Sequence, residues 1–280
     1  ITFYKKGAWI LHLLREKIGD KAFKEAIKNY LIKNQFKNVE TNDFIREVEK
    51  ESGQDLTDFV DNWLENKSLY FDTALESLKK SAFIQEYLMV DCELYSSKCQ
   101  EYLSSGISDE AKIKIVNQLP NLITKNVFNS SLKVRQAIAQ SISKIPLELK
   151  DEYESLLEDK SYLTIEIALY NLWNNFPEDR NFYLEKTKEI RGLNNKNVRI
   201  LWLALVLNTS DYNPENNQKY FNELIDYTSA KFDFETRMSA FTYLNYMQAC
   251  NEECQDNLQN AAKHHNWQFS KFARNLLNSK

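Results

Sequence analysis

Tyr4 is the first residue in the chain whose type and place bear on chemistry. It lies in the run Phe3-Tyr4-Lys5-Lys6-Gly7-Ala8-Trp9-Ile10-Leu11-His12-Leu13-Leu14, just ahead of a strongly apolar helix. A phenol at a helix start stands beside backbone N–H groups that have no intrahelical partner and beside the positive end of the helix dipole. Held there, its O–H is suited to meet developing negative charge. The plainer role is an aromatic that staples the helix start.

Other candidates are fewer. The histidines are His12, His264 and His265, and the cysteines form two local pairs, Cys92/Cys99 and Cys250/Cys254. Four cysteines in 280 residues do not suggest a disulfide framework. Cys250-x3-Cys254 followed by His264-His265 is the one grouping with metal-ligand types, but its separations match no zinc spacing, so half-buried thiols and exposed histidines are expected. The sequence holds no Gly-x-Ser-x-Gly elbow, phosphate loop or dinucleotide fingerprint. Carboxylates such as Glu47-x-Glu49-x-Glu51 read as solvated helix faces.

The elements that position these residues are helical. Gly (5) and Pro (4) are scarce, while 43% of residues are hydrophobic and 13% aromatic, which implies an all-α protein with short polar loops. A helix over residues 5–18 puts Ala8, Leu11, Leu14 and Ile18 on one stripe. Asp20 caps a second helix carrying Phe23, Ala26, Ile27, Tyr30 and Leu31. Thr41 caps a third, with Phe44, Ile45 and Val48, that stops at Gly53. A fourth runs from Asp55 to about Asn66 with Leu56, Phe59, Val60, Trp63 and Leu64 on its face. Together these make a compact helical bundle. Residues 67–105 suggest broken helices, from Leu69-Tyr70-Phe71 to a short helix around Cys99.

From Ile107 onward a repeat emerges. Its anchors are Val134-Arg135-Gln136-Ala137-Ile138, Thr164-Ile165-Glu166-Ile167-Ala168, Val198-Arg199-Ile200-Leu201-Trp202, Thr236-Arg237-Met238-Ser239-Ala240 and Ser270-Lys271-Phe272-Ala273-Arg274, spaced 30, 34, 38 and 34 residues apart. Each opens a helix, with a second helix between successive anchors. That period is that of a HEAT- or armadillo-like α-solenoid. Trp173, Phe176, Trp202, Tyr220, Phe221, Phe241, Tyr243, Tyr246 and Trp267 are expected in its core. A net charge of −4 with both signs interspersed disfavours nucleic acid as a partner, and no apolar run approaches the roughly 20 residues of a membrane span. The compartment cannot be read from the sequence.

The first 65 residues or so also carry motifs in a fixed order. Tyr4-x-Lys6-Gly7-Ala8 precedes Ile18-Gly19-Asp20-x-x-Phe23, Tyr30-Leu31, Thr41-x-Asp43-Phe44, Ser52-Gly53-x-Asp55-Leu56 and Trp63-Leu64. This order resembles the second half of the catalytic domain of the aminopeptidase N family of zinc metallopeptidases (gluzincins). The resemblance implies that Tyr4 donates to the oxyanion of a tetrahedral intermediate, with Lys6 and Gly7 as supporting motif residues. Gly7 would permit close packing or an unusual φ. It implies a parent enzyme that removes N-terminal residues from peptides, with zinc held by His-Glu-x-x-His and a further glutamate. No such pattern occurs in these residues, and the chain opens at Ile1 without a methionine. The expectation is a C-terminal part whose zinc ligands and remaining catalytic domain lie upstream, inactive and zinc-free by itself. Its expected divisions are 1–66, the end of the catalytic domain, 67–105, connecting helices, and 106–280, a HEAT-like domain. The alternative is a non-catalytic α-solenoid that binds a protein partner, capped by the N-terminal bundle.

Overall fold

The computed structural model describes residues 2–66, 68 and 71–278, with side chains from Tyr4 onward, so the expected helix opening at Leu69 and Tyr70 lies outside the described residues. Among the described residues every regular element is helical and no strand occurs. The chain divides into two compact units, 1–85 and 86–280.

In the first unit, α1 (Thr2–Ile18), α2 (Asp20–Lys33), α3 (Thr41–Ser52) and α4 (Thr57–Phe59) are followed by a π-helical turn (Val60–Glu65) and α5 (Phe71–Leu78). Their core gathers Ile10 and Leu14, Ala26, Ile45 and Val48, and Leu56 and Phe59. Truncating a side chain as buried as Leu14 to alanine typically costs about 2–5 kcal/mol.

Several local expectations are corrected. The buried stripe of α1 runs through Ile10 and Leu14, whereas Ala8 and Leu11 face out. Leu31 is likewise exposed. Asp20 does not cap α2; Gly19 holds the cap position at φ 84, and Asp20 pairs with Arg15 instead. At α3 the cap is Glu40, in a reciprocal capping box with Asp43, which leaves Thr41 as the first helical residue. Gly53 does end α3 in the left-handed conformation. Glu47 is buried rather than solvated, because Lys33 and Lys50 both reach its carboxylate.

The division between units falls inside α6 (Ala82–Met89), and the second unit continues with α7 (Ser96–Leu103), α8 (Asp109–Gln118) and α9 (Leu132–Ser141). It then alternates α10 (Lys150–Glu154), α11 (Tyr162–Asn175), α12 (Arg180–Thr187), α13 (Asn197–Leu207), α14 (Asn217–Asp226), α15 (Phe234–Tyr246), α16 (Glu252–Ala261) and α17 (Trp267–Asn278). All five sequence anchors open helices: α9, α11, α13, α15 and α17. Each of these packs on the next, with one shorter helix between. Helix α13 is buried continuously from Ile200 to Val206, as a helix enclosed by neighbours must be.

Arginines at two anchors bridge successive helix pairs. Arg135 binds the Ser130 carbonyl and Asp159; Arg199 binds the Lys188 carbonyl and Glu223. The partner acid lies 24 residues downstream in both cases. Arg237 bonds the Thr228 and Asn257 carbonyls instead.

The cysteines need a second correction. Cys92–Cys99 and Cys250–Cys254 are disulfides, with Cα atoms 5.7 and 5.3 Å apart, and no described cysteine is free. Cys250 precedes α16 and Cys254 lies in its first turn, so the turn, and not a helical repeat, sets their approach. Two aromatics placed in the core by sequence, Tyr246 and Trp267, are 84% and 68% exposed. Each sits at the end of its helix, beyond the layer that its neighbours cover.

Candidate functional site

Tyr4 lies within the first turn of α1, because the helix begins at Thr2 and not after the tyrosine. This correction keeps the phenol at the end where N–H groups lack intrahelical acceptors. Helical side chains lean toward the N-terminus, which brings the ring over that end. Tyr4 is 84% exposed. Ala8 and Leu11, one and two turns on, are exposed on the same side. Among the described residues the face that bears Tyr4 is exposed to solvent, while the opposite face packs the core.

Two contacts fix the helix that carries it. Lys6 donates from Nζ to the carbonyl of Asn66, 2.5 Å away. One and a half turns further, His12 Nε2 lies 3.1 Å from Ser77 Oγ on α5, and Ser77 in turn donates to Glu16. Lys80 reaches the same Glu16 oxygen at 3.4 Å. The Ser77 hydrogen bond, then Lys80 and His12, holds the Glu16 carboxyl below its usual range against the cost of desolvation. With its proton given to Glu16, Ser77 accepts from His12. Ser77 thus ties two side chains of α1 to α5, and the trio is a clamp between the two helices. It was missed in the sequence because residues 65 apart carry no local signal.

Gly7 does not act as expected. Its φ is not left-handed, and a Cβ built on it meets nothing within 4 Å. Within this chain neither close packing nor unusual backbone explains it.

The described residues do not fit a catalytic zinc. No group of three or more His, Cys, Asp or Glu side chains comes together to hold a metal. His12 is engaged by Ser77, and Cys250 and Cys254 are bonded to each other, which removes the thiolates from the Cys/His candidate. His264 and His265 stack with ring centroids 4.1 Å apart. Among the described residues no helix is long and apolar enough to cross a membrane.

Residues 1–63 match the Peptidase family M1 domain. The chain is 39% identical over 62 residues to an aminopeptidase N of Lactococcus lactis subsp. lactis, an alignment covering 22% of this chain and 7% of that relative. It is 37% identical over 60 residues to a glutamyl aminopeptidase of Bitis rhinoceros, covering 21% and 6%. An aminopeptidase A of Gloydius brevicauda aligns at the same identity, length and coverage. The chain thus spans under a tenth of the length of the curated relatives it matches. No solved structure gives a significant match. Over residues 1–63, then, the chain is similar to part of an M1-family peptidase domain.

Proposed function

We propose that these 280 residues are the C-terminal part of a zinc aminopeptidase that removes N-terminal residues from peptides. Residues 1–66 complete its catalytic domain, 67–105 connect, and 106–280 form a HEAT-like domain that limits access to the site. Tyr4 donates its phenolic O–H to the oxyanion that forms as the scissile carbonyl becomes tetrahedral. Lys6 supports the helix start, and Gly7 keeps the Tyr4 face clear for the rest of the catalytic domain. The zinc ligands come from outside these residues.

The observation that carries this reading is the M1 match over residues 1–63, which begins on the segment holding Tyr4. Two features support it. Tyr4 stands solvent-exposed in a first helical turn, where an O–H donor toward an anion is favoured. Anchor helices packed each on the next agree with a repeat domain.

The test uses the full-length parent and a panel of fluorogenic aminoacyl amides. Tyr4→Phe should lower kcat by about 10²–10³ with metal content unchanged. A Tyr4→Phe parent that holds metal and turns over as fast as the wild type removes the role of Tyr4. A wild-type parent that cleaves nothing favours the binding scaffold.

A further inference from the structure

Helix α13 lies between α11 and α15, and at this layer a carboxylate stands without a cation. Glu166, on α11, accepts from Asn197 Nδ2 at 2.5 Å. Among the described residues no lysine or arginine pairs with it: burial raises its pKa, and only the Asn197 bond opposes that rise. The carboxylate is oriented by a built support. Asn197 is 6% exposed, its Oδ1 accepts from the Leu193 N–H at 2.8 Å, and its Nδ2 also reaches the Tyr162 carbonyl. Gly192 makes room for this amide. It sits at φ 91, and a Cβ there would come within 2.3 Å of Asn197 Oδ1.

Tyr170 follows Glu166 by one turn of α11 and is half-exposed. Tyr243, from α15, feels both: burial first, then the Glu166 charge and Tyr170, push its phenol up to about 12. A half-buried carboxylate with no counter-charge costs stability. A carboxylate without a counter-charge suits an incoming ammonium or guanidinium, and Tyr170, one turn on and half-exposed, adds apolar surface for the stem of such a side chain. A lone carboxylate with no second acid beside it is a poor metal site.

We propose that Glu166, with Tyr170 and Tyr243, forms a subsite for one positively charged side chain, lysine or arginine, of a bound peptide. The choice of peptide as ligand rests on the aminopeptidase reading; the choice of charge rests on Glu166 and its surroundings.

The test uses the 280-residue chain and N-acetylated, alanine-based hexapeptides that differ at one central position, lysine or norleucine. Acetylation blocks the free amine, so binding is scored without turnover, by titration in NMR. The lysine peptide should bind about tenfold more tightly than the norleucine peptide, a difference of about 1.4 kcal/mol. Glu166→Gln, which keeps an acceptor for Asn197, should bring the two to parity, and Tyr170→Leu, at an exposed position, should shrink the preference. Equal binding of both peptides to the wild type, no binding of either, or a preference unchanged in both variants overturns the subsite. Failure of the aminopeptidase reading shows separately, as a full-length Tyr4→Phe enzyme with undiminished turnover, and leaves a lysine preference at Glu166 standing.

Discussion

The ammonium of Lys6 donates to the main-chain carbonyl of Asn66, 60 residues away, and joins the first turns of α1 to the end of the π-helical turn Val60–Glu65. Carbonyls at a helix end lack intrahelical donors and lie at the negative pole of the helix dipole. A cation supplies both needs. This gives the lysine of the Tyr4-x-Lys6-Gly7 motif a physical role in holding the helix that carries Tyr4.

Replacing Lys6 by methionine keeps the stem and removes the donor. The first unit should lose about 1–2 kcal/mol, the range for a part-buried hydrogen bond to a charged group. Hydrogen exchange at the amides of residues 57–66, compared with wild type, reads this locally. Unchanged protection there would show that the contact contributes nothing.

Gly7→Ala separates two explanations for the glycine. In this chain the position is helical and open, so alanine should stabilise by about 0.5–1 kcal/mol through the entropy of the unfolded chain and better helix propensity. In the full-length enzyme the same change should lower kcat/KM, because a group brought against the Tyr4 face would meet the new methyl. A melting temperature that falls in the 280-residue chain would contradict the open surroundings seen here.

The sequence made the repeat legible because helix periodicity is local: all five anchors open helices that pack in succession. It misled on α1, whose apolar residues Trp9, Ile10, Leu11, Leu13 and Leu14 crowd more than one face and so define no single stripe. It also misled on Glu47, whose burial depends on Lys33 from another helix. The disulfides were hidden for a related reason, since four cysteines at ordinary abundance give no framework pattern. Glu166 was in view only as an anchor residue. Its isolation from cations depends on what α13 and α15 place beside it.

Arg199 and Glu223 form a bidentate pair at 2.8 and 2.7 Å, with side chains 17% and 30% exposed, and the guanidinium lies 4.4 Å from the Trp202 ring centroid. Arg199→Met should destabilise the second unit by about 2–3 kcal/mol, below the figure for a fully buried pair because water still reaches this one. A double-mutant cycle with Glu223→Gln should give a coupling of about 1–2 kcal/mol. The cycle of Arg237 with Asn257→Ala should give far less, because Arg237 uses the backbone carbonyl there and no acid. Equal couplings would mean that the charge pair adds nothing to the bridge.

His264 gives the second unit a pH dependence of definite sign. Its ring stacks on His265, meets Phe269 edge-on at 5.2 Å, and accepts from the Asn266 N–H through Nδ1. Desolvation first, then the charges of His265 and Arg237, lower its pKa. The unfolded chain therefore takes up a proton at about pH 6.5, where the folded chain still resists it. Between that pH and the lower folded value the unfolded state binds more protons, so stability is full above the window and falls as pH drops through it. His264→Gln removes this slope. Melting temperatures of wild type and variant should run level at about pH 8 and diverge as pH falls through about 6.5, with the wild type losing more. Carboxylate titration bends both curves alike at lower pH, so the difference between them isolates His264. Curves that stay parallel from about pH 8 to 5 would show that His264 titrates alike in both states.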